Sequence, residues 1–414
     1  MLKRLTSLIL NLGRFLKRLM ELPLYHASGI IPRNKNLWVV GAWRNEFVDN
    51  PKYFFISTSL NKDLNVKCVW LSRSSTTVKF IKEMGFESVK SSSLKGIYIS
   101  LRAGIYFYNS SVNDISFIAS KGAILVNLWH GIPLKLIKND SLRFKKIKAS
   151  QSTGFLGLIN RIFNPRTILL DDLVLSPSNY VTKYSFSSAF EVPTNKCLAA
   201  GYPRTDIYFM EKKKLREHIN KYEPKLCSLI DKLGRYNKIY LYAPTYRNTS
   251  NDLIKESGID LNDLDAKLVK ENSYLLLKFH PSVNPGREDI AGLKRIVLLD
   301  NSYDINALFE YVDVLITDYS SVYFDFLLLD RKVIFFCYDL NKYIKHSRAL
   351  YFNYNDVTPG QKVISYNELY NAMFSDEDLE WASMRTSIRK RFWGEYAGGA
   401  SEKLINHLAG SEYL

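Results

Sequence analysis

The sequence predicts an α/β protein of two domains, each with a parallel sheet, facing each other across a cleft. Three observations predict it. Short apolar runs recur along the chain, and each stops at a polar cluster. Segments of helical length separate many of these runs, which is the pattern of strands joined by helical crossovers. The chain has 414 residues, more than one ordinary core accommodates, and 46% are apolar, enough to fill two.

The elements follow in order. Strands are expected at Leu37–Val40, Val66–Leu71, Ile105–Tyr108, Ala123–Val126 and Leu173–Leu175, with helices at Ser75–Met84 and Tyr180–Phe190. The basic, irregular stretch from Asn139 to Arg166 reads as a loop over the strand ends. A charged, helical, solvated linker is expected between Pro203 and Tyr236. The second domain supplies strands at Ile239–Tyr242, Tyr274–Phe279, Ile296–Leu299, Val314–Ile316 and Val333–Phe336. The division is therefore an N-terminal domain over 36–210, a second over 237–375, and helices over 376–414 that pack back on the first.

Residues 1–30 form a separate element, expected to be an amphipathic helix on a membrane surface. Leu5, Leu8, Ile9, Leu12, Leu16, Leu19 and Met20 recur at helical spacing, and Lys3, Arg4, Arg14, Lys17 and Arg18 share the helix. A signal peptide would have an unbroken apolar core, which these charges interrupt. No apolar run approaches the roughly 20 residues that span a bilayer.

Lys and Arg outnumber Asp and Glu by 57 to 41, giving a net charge of +16. That excess favours an anionic partner. No dense basic stripe interleaved with aromatics accompanies it, so nucleic acid is not the expected partner. Cys68, Cys197, Cys227 and Cys337 are far apart and form no CxxC pair, which argues against a zinc site and a disulfide framework and for a reducing, cytoplasmic setting. No metal site and no cofactor are expected. The Walker and GxGxxG signatures are absent.

If the strands are parallel, their polar termini share one rim. Ala123–Val126 ends at Asn127-Leu128-Trp129-His130-Gly131, and Lys135 follows closely. Ile239–Tyr242 ends at Ala243-Pro244-Thr245-Tyr246-Arg247, and Lys278-Phe279 leads into His280-Pro281. Val314-Leu315-Ile316 stops at Thr317-Asp318-Tyr319-Ser320-Ser321 and a helix-length segment follows. Hydroxyls and free N–H groups at a helix start make an anion site. Two histidines, an arginine, lysines and hydroxyls on one rim suit a phosphate-rich ligand. Gly131 lets the backbone pass close to that ligand, and a histidine there is a base at neutral pH. Arg204 and Asp206, in Gly201-Tyr202-Pro203-Arg204-Thr205-Asp206, read as a structural pair at a domain edge.

Taken in order, WHGIPLK (129–135), SPS (176–178), GYPRTD (201–206), APTYR (243–247), KFHP (278–281), TDYSSVYFDF (317–326) and FFCYDL (335–340) resemble the CDP-glycerol glycerophosphotransferases of teichoic-acid and capsule polymer synthesis. The resemblance runs from about Asn36 to the C-terminus. It implies a GT-B-like pair of Rossmann-like domains and peripheral attachment to the cytoplasmic face of the membrane. It implies transfer of glycerol phosphate from CDP-glycerol to a hydroxyl of a lipid-linked or polymeric acceptor, with release of CMP. His130 and His280 match the family's catalytic histidines. Gly131, Lys135, Thr245, Arg247, Lys278, Thr317, Asp318, Ser320, Ser321 and Ser401 are the expected substrate-binding residues. Ile132 and Tyr246 stand where the family usually has Thr and Trp, which leaves the donor polyol open between glycerol, ribitol and another alditol. The same fold also serves sugar transfer from nucleotide sugars, and release of UDP or GDP rather than CMP would mark that reaction.

Overall fold

The computed structural model describes residues 20–141, 169–245, 247, 253–279, 290–300, 302–340, 343, 349–376 and 378–410. Contacts divide the chain into two compact units. One holds the chain up to His130, Ile137–Arg204 and everything from Gly399 onward. The other holds Gly131–Leu136 and Thr205–Gly398.

The first unit is built on a parallel sheet of β1 (Asn34–Val40), β2 (Lys67–Ser72), β3 (Ser88–Lys90), β4 (Ala103–Tyr108), β5 (Ile124–Asn127), β6 (Leu173–Ser176) and β7 (Cys197–Ala199). Their order is β3-β2-β1-β4-β5-β6-β7. The chain winds outward from β1 to one edge, then returns beside β1 with β4. The order therefore reverses between β1 and β4, where open parallel sheets bind ligands. Register explains the core. Val39 pairs with Val69 and with Tyr106, and Tyr106 with Leu125, so one buried row crosses four strands. Each such side chain contributes about 1.5–3 kcal/mol on leaving water.

The second unit repeats the winding with β8 (Lys238–Tyr242), β9 (Ser273–Leu277), β10 (Ile296–Leu298), β11 (Val314–Thr317), β12 (Lys332–Phe336) and β13 (Gln361–Val363). The order is β10-β9-β8-β11-β12-β13, all parallel, with the reversal between β8 and β11. Leu277, Tyr242, Ile316 and Ile334 align across four strands into its core.

The helices differ from the sequence reading in two places. The stretch read as a solvated linker forms two helices, Lys212–Tyr222 and Pro224–Leu233, that belong to the second unit. Leu215, Ile219 and Tyr222 on one, and Leu226, Ile230 and Leu233 on the other, are buried. Helical spacing hid that apolar face among charges. The two C-terminal helices also part company. Ala400–Ala409 packs on the helix Asp49–Leu60 of the first unit. Leu379–Trp393 belongs to the second, where the Trp393 indole N–H donates to the Phe324 carbonyl at 2.8 Å. Among the described residues, no helix is long and apolar enough to cross a membrane.

Candidate functional site

In the first unit, the chain leaving β1, β4 and β5 meets around His130. The turn after β5 needs unusual backbone: Trp129 has φ 50° and Gly131 φ 142°, both in the region that favours glycine. Asn127 accepts the Trp129 N–H at 3.0 Å, and the Asn50 amide donates to the carbonyls of Leu128 and Trp129, each at 3.0 Å. These bonds hold His130 with its ring accessible to solvent. Its Nδ1 lies 2.8 Å from the Asn109 carbonyl oxygen. A carbonyl can only accept, so Nδ1 carries the proton and Nε2 keeps its lone pair. Desolvation by the dense protein around the ring pushes the His130 pKa below its ordinary value; Asp49 and the Asn109 bond oppose this, and Arg204 and Lys138 add to it. The imidazole is thus neutral at pH 7, with its lone pair on Nε2.

Behind His130 lies a polar chain. The Asn109 side chain accepts from the Trp43 N–H at 3.0 Å and donates to Asp49 at 2.7 Å. Asp49, itself at φ 62°, pairs with Arg204 at 2.6 Å. The sequence reading paired Arg204 with Asp206. Asp206 accepts from the Tyr396 hydroxyl at 2.7 Å.

In the second unit, the segments leaving β8, β11 and β12 meet at Arg247. Its Nε and Nη2 donate to the two oxygens of Asp339, each at 2.9 Å. Nη1 donates to Asp318 at 2.6 Å and to the Thr245 carbonyl. Asp318 also accepts the Thr245 N–H at 2.8 Å. Tyr319, Tyr338 and Tyr343 lie 5.4, 5.4 and 5.6 Å from the guanidinium. Burial works to lower the Arg247 pKa, but the Asp339 bond and the Asp318 charge outweigh it and raise it. Burial likewise favours neutral Asp339, and the Arg247 bond and charge, with the Tyr319 hydroxyl, hold it below the usual carboxylate range. Expected to face a diphosphate, Arg247 is instead buried between two carboxylates, and its charge is spent on them. Thr317 and Asp318, also expected on the ligand, are fully buried. The Thr317 hydroxyl donates to the Ala243 carbonyl at 2.8 Å and ties β11 to the exit of β8.

Ser320 and Ser321 keep partial exposure at this rim. The helix they open is Val322–Phe326, only five residues, continued by a 3₁₀ turn at Leu327–Leu329. It aligns fewer peptide dipoles than the sequence reading assumed. The Ser320 hydroxyl accepts from the Val322 N–H at 3.4 Å. The Thr245 hydroxyl, also on this rim, has no hydrogen-bond partner among the described residues.

The profile of the CDP-glycerol:poly(glycerophosphate) glycerophosphotransferases matches residues 24–410. The chain belongs to this family. It is 28% identical to a teichoic acid glycerol-phosphate transferase of Staphylococcus aureus, over 95% of this chain and 98% of that one. It is 26% identical to a teichoic acid poly(glycerol phosphate) polymerase of Bacillus spizizenii, over 93% of this chain and 95% of that one. Its fold is that of the wall teichoic acid polymerase TagF, with TM-score 0.72 and 24% identity over 99% of this chain and 96% of that one. The protein is thus a glycerophosphotransferase on a GT-B-like scaffold of two parallel-sheet units.

Of the remaining expected family residues, Lys135 lies in the segment that pairs with Leu350, its ammonium 5.1 Å over the Tyr343 ring, which stacks on Tyr319 at 4.0 Å. Lys278, at the exit of β9, donates to the Asp300 carbonyl at 2.7 Å. Ser401 is buried in the first unit, on the helix Ala400–Ala409. His280 lies outside the described residues. Sequence reasoning missed Asn109, Asp49, Asn50 and Asp339. Asn109 carried the signal used elsewhere, a polar residue closing the apolar run Ile105–Tyr108. Asp49-Asn50-Pro51 carried no comparable sign.

Proposed function

We propose that the protein transfers glycerol phosphate, or a related polyol phosphate, from the CDP-activated donor to a hydroxyl of a lipid-linked or polymeric acceptor in teichoic-acid-like polymer synthesis. The observation that carries the chemistry is the His130 tautomer: the Asn109 carbonyl takes the Nδ1 proton and leaves the lone pair on Nε2. Nε2 takes the proton of the acceptor hydroxyl as its oxygen bonds the β-phosphorus. The bond from that phosphorus to the bridging oxygen breaks, and CMP leaves with the electron pair. His280 is assigned to the phosphate charge or the leaving CMP, from its motif position alone. Ser320, Ser321 and Thr245 are the groups proposed to hold the diphosphate, with Arg247, Thr317 and Asp318 fixing their loops. The teichoic acid functions named for the relatives support the substrate class, and a TagF structure soaked with CDPG supports the donor. We place the protein on the cytoplasmic membrane face, held by its basic, amphipathic N-terminus. Incubation of the purified protein with CDP-glycerol, CDP-ribitol and nucleotide sugars, reading the released nucleotide, tests the assignment. CMP release with an acceptor supports it, and release of UDP or GDP alone would replace it with sugar transfer.

A further inference from the structure

The geometry points to the Asp49–Arg204 ion pair as a positioning device for the base His130, acting through Asn109. The inference rests on the assignment of His130 as the base. Asn109 provides both links: its backbone carbonyl sets the His130 tautomer, and its side-chain amide donates to Asp49 at 2.7 Å. Arg204 pairs with Asp49 at 2.6 Å, and its backbone N–H donates to Asn50 at 3.2 Å. Asn50 in turn holds the carbonyls of Leu128 and Trp129 at 3.0 Å, the two residues before His130. The backbone and the ring of His130 are thus fixed by neighbours that meet at one ion pair.

Two further features support a positioning role. Asp49 and Trp129 are both non-glycine residues in the left-handed region, at φ 62° and 50°. Such backbone persists where surrounding bonds over-determine it. The pair is also well buried, with Arg204 and Asp49 side chains 8% and 17% exposed, so it is little screened by solvent.

The charged groups acting on His130 are Asp49, Arg204 and Lys138. Lys138 is itself 3.6 Å from Asp171 and over the Trp129 ring at 5.4 Å. Asp49 favours the imidazolium, and Arg204 disfavours it. Removing each therefore moves the titration of the base in opposite directions. A loss of kcat with donor KM little changed is what a positioning role adds to this through-space effect.

The test is the pH profile of kcat/KM for CMP release in wild type, Asp49→Asn, Arg204→Gln, Arg204→Lys and His130→Ala. Orienting partners of a functional histidine are worth about 10- to 100-fold, so kcat should fall by that order in Asp49→Asn and Arg204→Gln with donor KM little changed. The acid limb should move to lower pH in Asp49→Asn and to higher pH in Arg204→Gln, and Arg204→Lys should return it to the wild-type position. If Asp49→Asn does not fold, the Arg204→Gln and Arg204→Lys comparison still decides. An unmoved limb, or displacement in the same direction in both charge-removing variants, overturns the inference. Wild-type rate in His130→Ala overturns instead the base assignment beneath it.

Discussion

At the scale of single residues, the two rims use charge differently. His130 is kept neutral and accessible, as a base requires, whereas Arg247 is kept charged and buried, as a structural tie requires. Replacing His130 by Ala should lower turnover by roughly 10²-fold or more, the usual scale for general acid–base groups, and barely change the melting temperature. His280→Ala should behave alike on the strength of its motif position. A variant that melts much lower yet retains turnover would show its histidine to be structural. Arg247→Met should behave in the reverse sense. It strands Asp318 and Asp339 without their counter-charge, at a cost of about 3–5 kcal/mol. Thermal melting should report that loss even with CMP absent, and an unchanged transition would refute the structural reading. The lowered Asp339 pKa gives a sign to the acid side. Its contribution to stability is present above the ordinary carboxylate range and is lost as pH falls through the depressed value.

At the scale of elements, the loop closing β4 couples folding to the site. Asp114 accepts the N–H groups of Ser110 and Ser111 at 2.9 and 3.1 Å, directly after Asn109. Burial pushes its carboxyl up to about 6, against the lowering effect of those backbone bonds and of Lys138. The folded protein therefore holds this proton more tightly than the unfolded chain. The resulting stabilisation is full below the ordinary value near 3.9 and is lost as pH rises through about 6. Melting curves of wild type and Asp114→Asn should converge at the acid end and separate, with wild type relatively lower, towards pH 7; parallel curves would remove Asp114 from the account. The turn after β11 gives a second element-scale expectation. Ser320 and Ser321 are partly exposed, so replacing both by Ala should weaken CMP binding in a calorimetric titration, and unchanged affinity would place the diphosphate elsewhere. Much of this was legible beforehand. Ile239–Tyr242 and Val333–Phe336 are unbroken apolar runs, and buried parallel strands look like that. Ser88–Lys90 and Gln361–Val363 are three-residue strands with one apolar side chain each, and their pairing partners alone make them strands. The site was legible by position, because strand exits are visible in sequence. Its contacts were not: Asp49 and Asn109 are 60 residues apart, and nothing local to Arg247 announces that Asp339 will take its charge.

At the scale of the whole molecule, the question is how an enzyme with a net charge of +16 would reach the lipid-linked acceptor proposed for it. Beyond the N-terminus, the start of the described chain is anchored: Tyr25 stacks on Phe117 at 4.6 Å, and Glu21 and Ser28 are buried. On the same segment Met20 and Leu24 are exposed, as is Ile30 just after it. They extend the apolar positions Leu5, Leu8, Leu12, Leu16 and Leu19 read from the sequence. Lys3, Arg4, Arg14, Lys17 and Arg18 accompany them, and each cation near an anionic surface is worth about 1 kcal/mol. On the proposed membrane location, this composition is expected to give reversible attachment without a span. Truncation after residue 19 removes neither the packed helical stretch around Tyr25 nor any strand of the two sheets. The truncated protein should therefore release CMP with a short soluble acceptor as the full chain does, but act more slowly on an acceptor embedded in anionic vesicles. Full-length protein should co-sediment with those vesicles at low salt and less so at high salt, because the Debye length shrinks from about 10 Å at 0.1 M to about 3 Å at 1 M. Equal sedimentation of the two forms at both salt concentrations would mean that the N-terminus does not hold the enzyme to the bilayer, and that any membrane contact belongs to the folded units themselves.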